Sequence, residues 1–283
     1  MAIGIGISSW VWTSPLDDSS LELIHKAKQF GFDVFELALE SPHQFDYAKA
    51  ARVLKEAGMK AVVCGAWGPD RDLTNDDPAL RQNSLDYARA ALECCEAVGA
   101  TVLPGPMYSG VGKRRYVAPE QRKREWELAV TGIRQMAKMA ADHGVTLAVE
   151  PLNRFETDLV NTAAQGIQLC KDVGEQNVGL LLDTFHMNIE EKNTYAAIKA
   201  AGPLVKHVHA CENDRGAPGS GLVHWAEVGK ALKEIGYAGA AVIESFTPNM
   251  KTIAAAAAVW RPFAASQDDL ARDGAKFLRG LLG

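Results

Sequence analysis

The stretch VTLAVEPLNRFET, Val145 to Thr157, begins as an apolar run fit for the interior of a sheet and then places Glu150 directly before a proline. An ionised carboxylate in apolar surroundings is costly unless it is paired or bound to a metal. The run therefore reads as a strand whose end delivers Glu150 to something that answers its charge. Whether this is an isolated case or one of a series decides the fold.

It is one of a series. Short strand-like runs recur at 3–8, 33–39, 60–67, 101–105, 145–150, 178–183, 205–210 and 240–245, separated by longer amphipathic stretches such as 20–31 and 47–58. The latter carries Ala50, Val53, Leu54 and Ala57 at the three-and-four spacing of a helix face. Gly31, Gly58, Gly99, Gly144, Gly174, Gly202 and Gly236 fall near helix ends, where a left-handed cap favours glycine. The repeated β-α rhythm predicts a single-domain (β/α)8 TIM barrel over residues 1–283, with the active site at the C-terminal ends of the strands. The alanine-rich run 253–260 reads as one more closely packed helix. A doubly wound open sheet is the rival, but GIGISS at 4–9 lacks the third glycine and the acidic partner of a dinucleotide site.

Composition narrows the function. The chain has 283 residues, 47% hydrophobic and 23% charged, as in an ordinary globular domain. A net charge of −5 argues against a nucleic-acid partner. No apolar run approaches the roughly 20 residues of a membrane span, so no membrane partner is expected. The five scattered cysteines form no CxxC or disulfide framework, which points to a reducing cytoplasm.

The last four strand candidates end in Glu150, Asp183, His209 and Glu244, at intervals of 33, 26 and 35 residues. These are close to the roughly 30 residues of one β-α unit, so the four side chains should form an arc around one point of the barrel mouth. Three carboxylates and one imidazole suit a hard divalent ion: Mn²⁺ or Mg²⁺ first, with Co²⁺ as an alternative. His207 points to the same side as His209 and reads as a hydrogen-bonded core residue one layer below. Asp158, Glu190 and Glu191 read as solvated or capping. Trp10, Trp12 and Trp67 lie at strand ends, where they could face a ligand or the core.

The motifs EPLNRFET, NTAAQG, LLLDTFHMNIEE, HVHACENDRGAPGSG and VIESF resemble the ketose 3-epimerase family, which includes D-tagatose and D-allulose (D-psicose) 3-epimerases, within the xylose isomerase-like barrels. The likeness covers most of the chain and is densest from 145 to 262. It implies an isomerase that forms a homodimer or homotetramer, binds Mn²⁺ (with Co²⁺ or Mg²⁺ as alternatives) through Glu150, Asp183, His209 and Glu244, and needs no organic cofactor. It also implies substrate contacts from Glu156, His186 and Arg215. The reaction implied is interconversion of free ketoses at C3, such as D-tagatose with D-sorbose, D-fructose with D-allulose, or ketopentoses such as L-ribulose. Inversion at C3 through an enediolate calls for an acid/base group on each face, the roles expected of Glu150 and Glu244. Arg154 and Glu212 are expected to support the ligands. Gly6 and the loop 106–116 are where the likeness is weakest. An aldose–ketose or hydroxypyruvate isomerase on the same barrel is the alternative.

Overall fold

A computed structural model describes residues 3–283. Among them, eight parallel strands run β1 (Gly4–Ser8), β2 (Val34–Leu39), β3 (Lys60–Gly65), β4 (Val102–Gly105), β5 (Thr146–Val149), β6 (Val178–Asp183), β7 (Val205–His209) and β8 (Ala240–Ile243). The sheet order is β3-β2-β1-β8-β7-β6-β5-β4, and β3 lies beside β4, so the sheet nearly closes on itself. Helices alternate with the strands, including α1 (Leu23–Gln29), α2 (Tyr47–Ala57), α3 (Pro78–Val98), α4 (Pro119–Asp142) and α5 (Ala163–Val173). This is the single-domain (β/α)8 barrel expected from the β-α rhythm.

The local reasons match the sequence cues. All seven helix-end glycines have positive φ, from 51° at Gly202 to 87° at Gly31. At Gly58, for example, the amide caps α2 by donating to the Leu54 and Lys55 carbonyls, a turn that an L side chain would strain. The helices further along are α6 (Thr184–Glu190), α7 (Thr194–Ala201), α8 (Trp225–Glu234), α9 (Lys251–Ala256) and α10 (Gln267–Leu282). The alanine run is shorter as a helix than expected. Ala258 turns left-handed at φ 54°, and the Val259 amide donates back to the Ala254 carbonyl, which tucks Val259 into the interior. Alanine favours a helix but does not set its length.

One irregularity in the sheet positions a residue of the barrel mouth. Along the β6–β7 ladder, Leu180 faces Val205, but Leu181 faces His207, so Lys206 is an extra residue on β7. The shift places His209 level with Asp183. Gly179 makes room for it, because a Cβ there would come within 2.4 Å of both the Leu204 carbonyl oxygen and the Lys206 side chain. Gly179→Ala should therefore push β7 out of register. Overpacking of this kind costs about 1–3 kcal/mol, so the variant should unfold at a clearly lower temperature in calorimetry. An unchanged transition would show that the bulge does not depend on the glycine.

Candidate active site

The four predicted strand-end residues converge. Asp183 is the last residue of β6 and His209 the last of β7, while Glu150 and Glu244 directly follow β5 and β8. All four are buried. Ligating atoms of Glu150, Asp183 and His209 lie within 4.8 Å of one another. Glu244 joins the same cluster, with Oε1 3.4 Å from His209 Nδ1, while Glu150 Oε1 lies 4.0 Å from that nitrogen.

Glu36, which the sequence pattern did not single out, organises this group from below. It lies in the middle of β2, fully buried, and its Oε2 accepts from His207 Nε2 at 2.8 Å and from His209 Nε2 at 3.2 Å. An ionised carboxylate only accepts, so both imidazoles carry their proton on Nε2. The neutral form of His209 then presents a bare Nδ1 to Glu150 and Glu244, and that nitrogen has no hydrogen-bond partner. This is the orientation a carboxylate gives a metal-ligating histidine. His207 takes the place expected of it, as a bonded core residue. Glu36 was findable: a lone acid inside VFELAL raises the same question as Glu150.

The electrostatics are those of a cation site. Burial lifts the proton affinity of Glu150 well above the usual carboxylate range, with Glu244 and Asp183 adding to it against the pull of His209. Burial also dominates at Asp183, which is raised despite Arg215. Burial pushes Glu244 upward too, but there His209 and Arg215 prevail and hold it below the ordinary value. His209 is raised well above 6.5: burial opposes its charge, but Glu244 and Glu36 outweigh that cost. The donor set of oxygens and one imidazole nitrogen fits a hard or borderline divalent ion.

Above the cluster lies a cavity of about 280 Å³ lined by Glu150, Glu156, His186, Arg215 and Glu244, with Trp10, Trp67 and Phe246 among its walls. Arg215, in the loop after β7, has a left-handed backbone at φ 69°. Its Nη1 donates to Asp183 Oδ2 at 2.6 Å and to Glu244 Oε2 at 2.7 Å. His186, on α6, accepts from the Asn153 amide at Nδ1, 3.1 Å away, so its proton sits on Nε2. That nitrogen lies 3.6 Å from Glu150 Oε1 and 3.7 Å from Asp183 Oδ2. Burial, with Arg215 and His209 nearby, keeps the ring neutral. The Asn153 amide side chain also donates to Glu156 Oε1 at 2.8 Å, so this unforeseen residue fixes two pocket groups at once.

The sequence of residues 24–281 matches the profile of the xylose isomerase-like TIM barrel family. The chain is 35% identical to the D-psicose 3-epimerase of Agrobacterium fabrum over 92% of each chain, and 33% identical to the L-ribulose 3-epimerase of Methylomonas sp. over 89% of this chain and 88% of that one. The crystal structure of a D-allulose 3-epimerase from Methylomonas sp. in complex with D-allulose superposes with a TM-score of 0.93 at 31% identity, covering 99% of this chain and 97% of the other. The chain belongs to the ketose 3-epimerase family of xylose isomerase-like barrels. Against that family background, the remaining expectations divide. Trp10 and Trp67 line the cavity, whereas Trp12 bonds Asp268 on α10 away from it. Glu212 does support the site. Its carboxylate accepts from the amides of Gly219 and Val223 and from Trp225 Nε1, which staples the loop carrying Arg215. Arg154 does not: it pairs with Glu190 at the surface. Asp158 pairs with Arg115 and Arg122, and Glu191 accepts from the first amide of α5. The 106–116 loop is pinned by Lys113 on Asp72 and by Tyr108 on the Val160 carbonyl. A Cβ at Gly6 would meet Val242 and Val34 in the barrel floor. No helix among the described residues is long and apolar enough to cross a membrane.

Replacing Glu36 by Gln should loosen His209 and weaken divalent-ion binding about tenfold or more, the usual effect of losing such a partner. Calorimetric titration of the metal-free protein checks this; unaltered affinity would mean that His209 is oriented by packing alone.

Proposed function

We propose that this protein is a metal-dependent ketose 3-epimerase acting on free ketoses such as the D-fructose/D-allulose and D-tagatose/D-sorbose pairs, with ketopentoses as further substrates. The observation that carries the reading is the approach of two carboxylates, Glu150 and Glu244, to within 4.0 Å of one histidine nitrogen, both lining a sugar-sized cavity. The residues that would hold the ion are Glu150, Asp183, His209 and Glu244, with Mn²⁺ favoured and Co²⁺ or Mg²⁺ as alternatives. Bound there, the ion supplies Lewis-acid stabilisation of the negative charge that develops on the sugar oxygens beside C3.

The protein's own residues then divide the work. One glutamate, as carboxylate, removes the C3 proton; the C–H electron pair moves into a C2–C3 double bond and the carbonyl pair onto O2. The other glutamate, as carboxylic acid, returns a proton to the opposite face of C3, and the two exchange roles in the reverse direction. Without an ion the two environments already differ, burial raising the proton affinity of Glu150 and His209 with Arg215 lowering that of Glu244. In this reading the neutral Nε2–H of His186 and the guanidinium of Arg215 donate to O2 and its neighbours. Glu156, held by Asn153, orients the O1 end in the same reading. Fixing the sugar in this way can supply several kcal/mol of the barrier lowering. A homodimer or homotetramer belongs to the same reading, with the exposed Phe155 and Trp260 beside the cavity mouth as candidate contacts.

Incubation with D-fructose or D-allulose in D₂O should place deuterium at C3, read by NMR. Label at C1 instead would mark an aldose–ketose isomerase and overturn the proposal. Glu150→Gln and Glu244→Gln should each lower kcat by at least about a hundredfold, the lower end of what one acid/base group contributes. Either variant retaining near-normal turnover would refute the two-base scheme. Exhaustive treatment with EDTA should abolish activity and added Mn²⁺ restore it; full activity after chelation would remove the metal from the reaction.

A further inference from the structure

We propose that Cys64 forms, with Glu36, His209 and Glu244, a second metal site adjoining the first, which takes thiophilic divalent ions such as Zn²⁺ and thereby inhibits the enzyme. Cys64 lies near the end of β3, is buried, and lines the same cavity that admits the sugar. One ligating atom from each of Glu36, Cys64, His209 and Glu244 lies within 4.8 Å of the other three. The catalytic reading uses neither Cys64 nor the second oxygen of Glu36.

That second oxygen is the independent sign. Glu36 Oε2 takes both histidines, while Oε1, fully buried, accepts no hydrogen bond at all. A buried acceptor without a partner is costly, and native structures rarely leave one without a reason. A cation beside Cys64 would satisfy it together with His209. The other cysteine near the ligands, Cys211, is a poorer candidate. Its thiol donates to the Glu244 carbonyl at 3.1 Å, and Arg215 Nη1 sits 3.1 Å from its sulfur, so a fixed positive charge already occupies that side. The ligating neighbours of Cys64 are carboxylates and an imidazole.

Sulfur makes the two sites selective. Mn²⁺ and Mg²⁺ prefer oxygen donors and have little use for a thiol, whereas Zn²⁺ readily takes one thiolate with imidazole and carboxylate. On binding, the thiol proton leaves to solvent. Because His209 and Glu244 belong to both sets, an ion held by Cys64 takes them from Glu150 and Asp183, and the two ions exclude one another. The site itself rests on geometry alone; only the inhibition rests on the epimerase reading.

The experiment titrates the full-length, metal-free protein with Co²⁺ and records the near-ultraviolet sulfur-to-cobalt charge-transfer band. The wild type should show the band, Zn²⁺ should bleach it, and Cys64→Ser and Cys64→Ala should lack it while still unfolding in one cooperative transition. In both variants Zn²⁺ should bind about tenfold or more weakly, and its inhibition of Mn²⁺-supported turnover should weaken by the same factor. A wild-type spectrum without the band overturns the proposal, as does a band that survives Cys64→Ser, which would point to Cys211. If the protein epimerises no ketose, the epimerase reading fails while the cobalt band still decides the site.

Discussion

Charge compensation governs this molecule. Glu36, Glu150, Asp183 and Glu244 are all buried, and the groups that answer their charge are the Arg215 guanidinium and the His209 imidazole. Moving an unpaired carboxylate out of water costs several kcal/mol even after relaxation. The arrangement therefore holds only because Arg215 bridges Asp183 and Glu244 and because Glu36 is closed off by two histidines. What remains is a field that favours positive charge at His209 Nδ1. Carboxylates crowded in this way are stable only when positive charge is drawn in among them.

The supports of that cluster are spread over the chain. Glu36 reaches it from the second strand, Asn153 from the loop after the fifth, and Glu212 by stapling the loop after the seventh. Each holds another polar group in place instead of lining the cavity. This explains how Arg215 can keep a left-handed backbone: its loop is over-determined by Glu212, and its guanidinium stacks over Phe185 at 4.1 Å. Strain at a binding residue persists where the surroundings allow no alternative.

Much of this was legible in the sequence. Eight apolar runs with glycine-ended helices between them point to the barrel, because period and punctuation repeat from end to end without a break. Glu150, Asp183, His209 and Glu244 were legible because each interrupts an apolar run at a strand's end. Glu36 was harder, lying inside a run with apolar residues on both sides; only its bonds to His207 and His209 reveal that it faces the barrel axis. Arg215, His186 and Glu156 came from family resemblance, since nothing in their spacing alone places loop residues over a pocket. Glu212 was expected as a support from the motif that carries it, whereas Asn153 works through hydrogen bonds to His186 and Glu156 that have no signature in composition or period. The fate of Arg154 shows the converse: proximity in sequence to Glu150 did not bring it to the site.

The extra residue at Lys206 carries a wider meaning. In parallel strands, residues level with each other share a face, so the same sequence paired without the shift would set Val208, and not His209, beside Asp183. The reading frame of a single strand thus decides whether this barrel offers an imidazole or an isopropyl group to its neighbours. Deleting Lys206 would leave His209 level with Asp183, while the Leu204 carbonyl would still hold position 179 to glycine.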